Sequence, residues 1–508
     1  MAQVVFNANK QSTLLNSAKQ SGVQIEEFQY DLPRPYPMIM KDYHVKHTVN
    51  NLDFAGSSSV ELSSFGTIRD LYIKWVVTWT NGSAQAGKVV VSKNLFSTIV
   101  KRVALMNSSR EIYQVFGDEI LWKTRGIVDK GERAKWLMAG DANLELLPVT
   151  LQPAGSRADA GPVINTANDG VNSLEFYSKI PFSFFHGKFQ SNEPRKTALN
   201  LRFSETLRLL IETNPSHYVA CGAGGTNEVL LNLKIASCDV FAHYDIVEPS
   251  DLQKIESQFS MGAPMSMLNG NSVMTESSIT ATGSGSANDA VDCTHEVKLY
   301  NTNLVQNFIV AITPTRTKAL CSALATGVAA GTSNGTDKLL VADAFGANGA
   351  ISPITSLVQV LNPHFKTKHS LVVGGNSRIG DDYCKIKSLQ IKSSGRVLVD
   401  CPTYKQLLMT TTDFTNWVDT AGSHQEINSM VDKNHCSDAN IYMIPMSELS
   451  HANALTGNLA LKGLSTIDFK ITFQARQGVN YTVKIYSNYQ GITSTETSSG
   501  RIISSVSS

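Results

Sequence analysis

What this sequence has little of narrows it first. Lys and Arg number 44 and Asp and Glu 43, so neither sign is in surplus and no long-range field favours a polyanion. The first fifty residues mix Lys10, Lys19, Arg34, Lys41 and Lys46 with Glu26, Glu27, Asp31 and Asp42. That is no basic arm, and it argues against neutralisation of nucleic acid by this segment. The seven cysteines are odd in number, widely spread and contain no C-x-x-C, which suits reduced thiols in an intracellular setting better than a disulfide framework. Long apolar runs are missing too. ALCSALATGVAAG, from Ala319, is too short and too Gly-broken to cross a bilayer. The opening MAQVVFNANKQ turns polar within a few residues, unlike a secretory leader.

Helical periodicity is also scarce. GDEILWKTRG (117–126) and KGERAKWLMAG (130–140) read as short helices bridging strands, and residues 10–21 as a helical turn or two. The prolines of LPRPYP (32–37) then hold the chain extended. At 508 residues the chain is too long for one simple core, so two domains are expected.

Catalytic signatures are missing as well: no G-x-S-x-G, H-E-x-x-H or G-x-G-x-x-G occurs. Gly82 to Lys88, GSAQAGK, matches the glycines and lysine of a phosphate-binding loop. Val89 follows where a magnesium-binding hydroxyl would stand, and KVVVS reads as strand, so no helix N-terminus faces the loop. The expectation is a hairpin loop. His44 and His47, three apart in an extended segment, point to opposite faces and cannot share a metal. Cys293 and His295 share a strand face but lack two further ligands. His435-Cys436 is a loop dipeptide, and Glu26-Glu27 and Asp381-Asp382 read as solvated loop charges. No catalytic, cofactor-binding or metal-binding residue is expected, and no cofactor.

What the sequence does have is a period of two. In DLYIKWVVTWT the positions Leu71, Ile73, Trp75, Val77 and Trp79 are all apolar, and Asn81-Gly82 stops the run. STIDFKITFQA alternates Ile467, Phe469, Ile471 and Phe473 with Thr466, Asp468, Lys470 and Thr472. Such strands have one buried and one wet face, as in antiparallel sheets. In EVLLNLKIASCDVFAHY the apolar phase flips near Ala236-Ser237, which predicts a β-bulge.

The pattern then repeats. Leu207-Arg-Leu-Leu-Ile211 matches Ile467-Asp-Phe-Lys-Ile471 at an offset of 260, and Ile180-Pro-Phe-Ser183 matches Ile444-Pro-Met-Ser447 at 264. VALMNSSREIYQV (103–115) matches LQIKSSGRVLVDC (389–401) at 286, and Lys234-Ile-Ala-Ser237 matches Lys484-Ile-Tyr-Ser487 at 250. Four matches in one order, with slowly varying offsets, indicate one unit built twice. The expected fold is all-β: two tandem eight-stranded jelly-roll β-sandwiches with short helices and a large loop insertion in the second. The expected division is an N-terminal arm over 1–45, a first jelly roll over 46–250, a second over 251–494 and a Ser-rich tail over 495–508. The Gly/Ala/Ser/Asn-rich stretch of about 276–382 is read as the insertion.

Several of these segments resemble the double jelly-roll major capsid proteins of DNA viruses. SSREIY followed by GDEILWKTRG is similar to that family's hairpin-then-helix, and IPFSFF with ALNLRFSETLRLLI to its "L-P-F-x-F … A-L-P-L … L" segment. ALTGNLALKGLSTIDFKI is similar to its "P-x-G-x-x-N-x-S-x-x-D" stretch: Ser465 and Asp468 keep the end, Gly463 stands where Asn is commoner, and no proline precedes. Size, arm and insertion look most like the virophage (Sputnik-type) branch. The resemblance implies a homotrimer of six similar sandwiches, a pseudo-hexagonal capsomer tiling the facets of an icosahedral shell. It implies neighbouring capsomers, penton and minor capsid proteins as partners, and an arm meeting an internal membrane. It further implies no enzymatic activity, no sequence-specific nucleic-acid binding, and a place in the virion after assembly in the host cytoplasm. Phe182, Phe184, Phe185 and Trp417 are read as ordinary core, with filler between sandwiches or subunits as the other use. The competing reading is a two-domain β-sandwich spike that binds a receptor or carbohydrate, although Trp75, Trp79, Trp122, Trp136 and Trp417 form no evident sugar platform. A third, glycan cleavage, would need a facing carboxylate pair.

Overall fold

The computed structural model describes residues 39–63, 67–81, 88–91, 94–107, 110–125, 135–136, 139–140, 163–165, 171–182, 199–200, 207–223, 230–247, 253, 265–283, 290–300, 304–317, 383–410, 441–446, 459–460, 466–495 and 502–506. The first group of strands is β1 (Ile39–Val49), β2 (Ser57–Glu61), β3 (Thr67–Asn81), β4 (Lys88–Val91), β5 (Val100–Asn107), β6 (Arg110–Phe116), β7 (Val163–Asn165), β8 (Val171–Lys179), β9 (Leu199–Asn200), β10 (Leu207–Thr213), β11 (Ala220–Ala223) and β12 (Leu230–Val247). Helices α1 (Leu95–Thr98) and α2 (Gly117–Arg125) interrupt them. One sheet runs β1-β12-β3-β8, with β9 also on β3; the facing sheet runs β2-β10-β5-β6. A small third sheet, β11-β4-β7, stands apart.

The second group is β13 (Met265–Thr280), β14 (Ala290–Leu299), β15 (Leu304–Pro314), β16 (Ile386–Ser393), β17 (Arg396–Cys401), β18 (Tyr442–Pro445), β19 (Leu459–Ala460), β20 (Ile467–Arg476), β21 (Asn480–Thr495) and β22 (Ile502–Val506), with α3 (Tyr404–Thr410) after β17. Its sheets are β13-β21-β15-β18, carrying β19 and β22, and β14-β20-β16-β17. Substituting β13, β21, β15 and β18 for β1, β12, β3 and β8 reproduces the first sandwich. So does substituting β14, β20, β16 and β17 for β2, β10, β5 and β6. Both are eight-stranded jelly rolls, in which strands far apart in sequence pair. Each of the four sequence matches falls on, or at the end of, a corresponding strand.

Alternation drives each layer inward. Ile467, Phe469, Ile471 and Phe473 of β20 are buried in the second core, as are Leu207, Leu209 and Ile211 of β10 in the first. Trp75, fully buried on β3, donates its indole N–H to Ser178 Oγ at 2.8 Å, and Ser178 in turn donates to the Phe96 carbonyl at 2.7 Å. The polar end of this buried indole is thus satisfied. The bulge expected near Ala236-Ser237 is present as a register shift between Ile235 and Ser237 in the β12–β3 pairing.

Three expectations need correction. The segment after β3 is no hairpin: β4 pairs with β11 and β7, leaving the β3 sheet. Residues 82–87 themselves lie outside the described residues. The insertion also begins later than 276. Residues 276–280 finish β13, and β14 and β15 are body strands paired with β20 and β21. The composition of TATGSGSAND misled because nine residues joining two long strands draw on the same small residues as a long excursion. What separates β15 from β16 is residues 318–382, outside the described residues. The tail boundary shifts as well: β21 continues to Thr495, and β22 pairs back onto it from within 495–508.

Candidate functional site at the joint between the sandwiches

β6 ends at Phe116 and turns at once into α2. A Cβ on Gly117 would lie 2.3 Å from the Val100 carbonyl oxygen and 2.4 Å from that of Ser97, so only glycine lets the helix begin so close to α1 and β5. Gly117→Ala is expected to cost about 1–3 kcal/mol through overpacking, measured as a lowered urea midpoint. Glu119 Oε2 accepts the Phe116 N–H at 3.2 Å, holding the first turn. Burial pushes the Glu119 carboxyl up, against the opposing pull of Lys123.

Asp118, beside it, reaches out of the first sandwich into the second. Its Oδ1 accepts the Tyr383 hydroxyl at 2.6 Å; its Oδ2 accepts the Tyr486 hydroxyl at 2.5 Å and the Lys484 ammonium at 3.3 Å. Tyr486 and Lys484 lie on β21, and Tyr383 just precedes β16. Burial alone would push this carboxyl up, but Lys484, Arg316 and the two hydroxyls outweigh it and hold it at about 2. Burial and the neighbouring Asp118 charge in turn keep the Tyr486 hydroxyl well above the ordinary tyrosine range, so it remains a donor.

A carboxyl depressed on folding adds stability that is full above its unfolded pKa and lost as pH falls through the folded value. Between about pH 3.8 and 2, therefore, the wild-type midpoint is expected to fall more steeply than that of Asp118→Asn. Unfolding followed across that window checks the sign.

Two further groups of contacts tie the units. β6 is an edge strand, and Asn271 of β13 closes it: Asn271 Oδ1 accepts the Gln114 N–H at 3.0 Å, and Nδ2 donates to the Ile112 carbonyl at 3.1 Å. Gln114 Nε2 donates to the Ser272 carbonyl at 2.6 Å. At the far side the Arg316 guanidinium lies 5.3 Å from the Tyr218 ring centre and 5.8 Å from that of Tyr383. His217 Nε2 meets the Arg316 carbonyl at 3.3 Å. Between these polar groups Ile309, Ala311, Ile441, Met443 and Tyr486 join the first sandwich's core, with Phe116 and Tyr486 rings 5.5 Å apart. The outer face of the second sandwich's β15–β21 sheet is thus covered by β6 and α2 of the first.

The motifs weighed for chemistry are not brought together. His44 is exposed and stacks on His243 with ring centres 4.1 Å apart, while His47 is half-buried on the opposite face of β1. Cys293 is buried and His295 meets Ser277 Oγ at 2.9 Å. Among the described residues no cluster of three His, Cys, Asp or Glu side chains could hold a metal. Glu26-Glu27, Asp381-Asp382, His435-Cys436, Phe184, Phe185 and Trp417 lie outside the described residues. Phe182 is ordinary core, 6.1 Å from the Tyr113 ring. The joint itself escaped the sequence reading, although one signal was available. LVQNFIVAIT is apolar on both faces, the mark of a strand covered on both sides.

No protein-family model and no curated protein matches the chain. Solved structures do. PBCV-1 VP54, fitted into a reconstruction of the virophage Sputnik, superposes with a TM-score of 0.58 at 11% identity, over 94% of this chain and 98% of that one. The PBCV-1 virus capsid gives 0.56 at 12%, over 94% and 98%. The Faustovirus major capsid protein gives 0.52 at 8%, over 97% and 98%. Identity this low speaks to architecture, and the coverage extends it over both sandwiches and the joint. The chain therefore shares the double jelly-roll fold of these viral capsid proteins.

Proposed function

We propose that the chain is a major capsid protein, acting by assembly and without turnover. The observation that carries this is the fixed pairing of two like sandwiches through a buried joint, in a fold shared with viral capsid proteins along almost the whole chain. A single sandwich needs no copy of itself to bind a ligand; a tile does. Three such chains present six similar units, so duplication stands in for six-fold symmetry and gives a pseudo-hexagonal capsomer. Tiles of that shape pack the flat facets of an icosahedral DNA-virus shell, where neighbouring capsomers, penton and minor capsid proteins are the partners. The near-equal charge totals suit edge-to-edge packing without long-range repulsion. An arm over the first residues would face inward toward a membrane, and assembly would take place in the host cytoplasm.

Light scattering after gel filtration tests this. The expected species has about three times the 55.2 kDa chain mass and withstands dilution. A folded single chain at every concentration would overturn the capsomer and favour the carbohydrate-binding spike, to be pursued on a glycan array.

A further inference from the structure

Each sandwich has one side that no backbone ladder closes. In the first, β1 and β2 are the edge strands of facing sheets, and β13 and β14 are their counterparts in the second. β1 packs on β2 and β13 on β14, with no ladder pairing between them among the described residues. Side chains hold such a side shut. A histidine stands on each. His47 lies in the inward phase of β1 between Val45 and Val49, and His295 in that of β14 between Cys293 and Val297.

Both rings face uncharged surroundings. Around His47, β2 supplies Ser58 and Val60, and β12 supplies Val240 opposite, with the Cys238 thiol and Tyr244 hydroxyl that burial keeps protonated. His44 and Lys46 of β1, Glu61 of β2, and Asp239 and His243 of β12 take the outward phase, where Lys46 pairs with Asp239 at 2.9 Å. His47 Nε2 is buried and meets no hydrogen-bond partner among the described residues. Around His295, β20 supplies Ile471 opposite, between Phe469 and Phe473, and β13 supplies Ser277 and Ile279. Asp292, Glu296 and Lys298 of β14, Asp468 and Lys470 of β20 and Glu276 of β13 take the outward phase. His295 Nε2 meets Ser277 Oγ at 2.9 Å, a link from one sheet to the other.

We infer that His47 and His295 are acid-sensitive latches: as neutral rings they keep the β1–β2 and β13–β14 sides closed, and their protonation opens both sandwiches along these sides. An imidazolium at either place puts a charge on an apolar side where no carboxylate faces it. At His295 a charged ring can only donate to Ser277, whereas a neutral one can also accept. Burial holds both rings below the ordinary histidine value of 6.5, against a pull from Glu296 at His295. Once pH falls below 6.5 the unfolded chain therefore binds more protons than the folded one, and stability is lost in that direction. Asp118 stays charged down to about 2, so its pairing with Lys484 is unaffected in this window. Burial raises the Glu111 and Glu119 carboxyls, which act in the opposite sense as pH falls, equally in wild type and in the variants below. The result is a protein firm at neutral pH whose two sandwiches loosen together on mild acidification. Each latch lies within one sandwich of one chain, so the inference goes beyond the capsomer reading and is tested apart from it.

Two buried thiols report the opening. Cys293, 4% exposed, shares the inward face of β14 with His295, and Cys238, 1% exposed, pairs with Val49 beside His47 on that face of β1. The full chain is labelled with dithiodipyridine at about pH 7.5 and about pH 5.5. Labelled cysteines are assigned by peptide mass, each rate taken relative to the urea-unfolded chain at the same pH. The expected result is a several-fold faster labelling of Cys238 and Cys293 at the lower pH. That rise is lost at Cys238 in His47→Gln and at Cys293 in His295→Gln. Deuterium exchange at the ring carbon between the two imidazole nitrogens, read by mass, follows each histidine's titration in wild type, and midpoints below 6.5 are expected for both. Wild-type labelling that does not speed up at the lower pH, a rise that persists in the Gln variants, or titration at or above 6.5 overturns the inference. Should a Gln variant fail to fold, wild-type labelling and titration decide together.

Discussion

Asp118→Ala is expected to lower the unfolding free energy by about 3–5 kcal/mol, the range for removing one member of a buried ionic network. The substitution leaves the Tyr383 and Tyr486 hydroxyls without their acceptor, and Lys484 without its counter-ion. Lys484 can recover some hydration, since its side chain is 26% exposed; the two tyrosines, about 1% exposed, cannot. Asp118→Asn keeps an acceptor oxygen and loses the charge, so a smaller loss of about 1.5–3 kcal/mol is expected. Urea unfolding followed by tryptophan fluorescence is well placed to measure this. Four of the five tryptophans, Trp75, Trp79, Trp122 and Trp136, precede the second sandwich and dominate the signal over Trp417, and Trp75 and Trp79 lie in the first core. Equal midpoints for wild type and Asp118→Ala would mean that the apolar part of the joint holds the sandwiches unaided.

Phe469→Ala is expected to cost a similar amount, about 3–5 kcal/mol, through lost burial and a residual cavity. Phe469 is fully buried on β20 and meets the Phe308 ring edge-on with centres 5.0 Å apart. Strands β16 and β14 flank it on either side, so the surrounding sheet has little freedom to collapse into the space. Its counterpart at an offset of 260 is Leu209, equally buried in the first core. The informative readout is which signal moves. With the joint intact, fluorescence from the first sandwich should follow far-ultraviolet dichroism from the whole chain in one transition. Separation of the two curves in Phe469→Ala combined with Asp118→Ala would show that the joint carries the cooperativity. A Phe469→Ala loss under 1 kcal/mol would mean that the second core repacks freely.

Strand periodicity made the two cores legible: alternating apolar residues in 71–79 and 467–473 fixed both the strand type and its inward face. Duplication was legible because corresponding strands must solve the same packing problem, so LRLLI and IDFKI keep their buried positions. Partner choice between sandwiches was not. Asp118 and Glu119 look in sequence like any acidic pair opening a helix, and Tyr486 occupies the phase of β21 that would ordinarily be wet. Their meaning depends on groups 265 and more residues away, beyond any local pattern. The insertion boundary failed for a different reason. Gly and Ser are at least as common in the short stretch between β13 and β14 as in residues 318–382, and composition does not distinguish a short connection from a long one.

Arg316 and Tyr383 stand on either side of residues 318–382, and both are held against the first sandwich beside Asp118. Those two flanking residues therefore lie close together, on ground that another part of the chain holds in place. Closure entropy grows only slowly with loop length. Whatever lies between those two residues can thus lengthen, shorten or be exchanged over generations with little consequence for the cores. A change of length there leaves the two cores and the joint between them untouched.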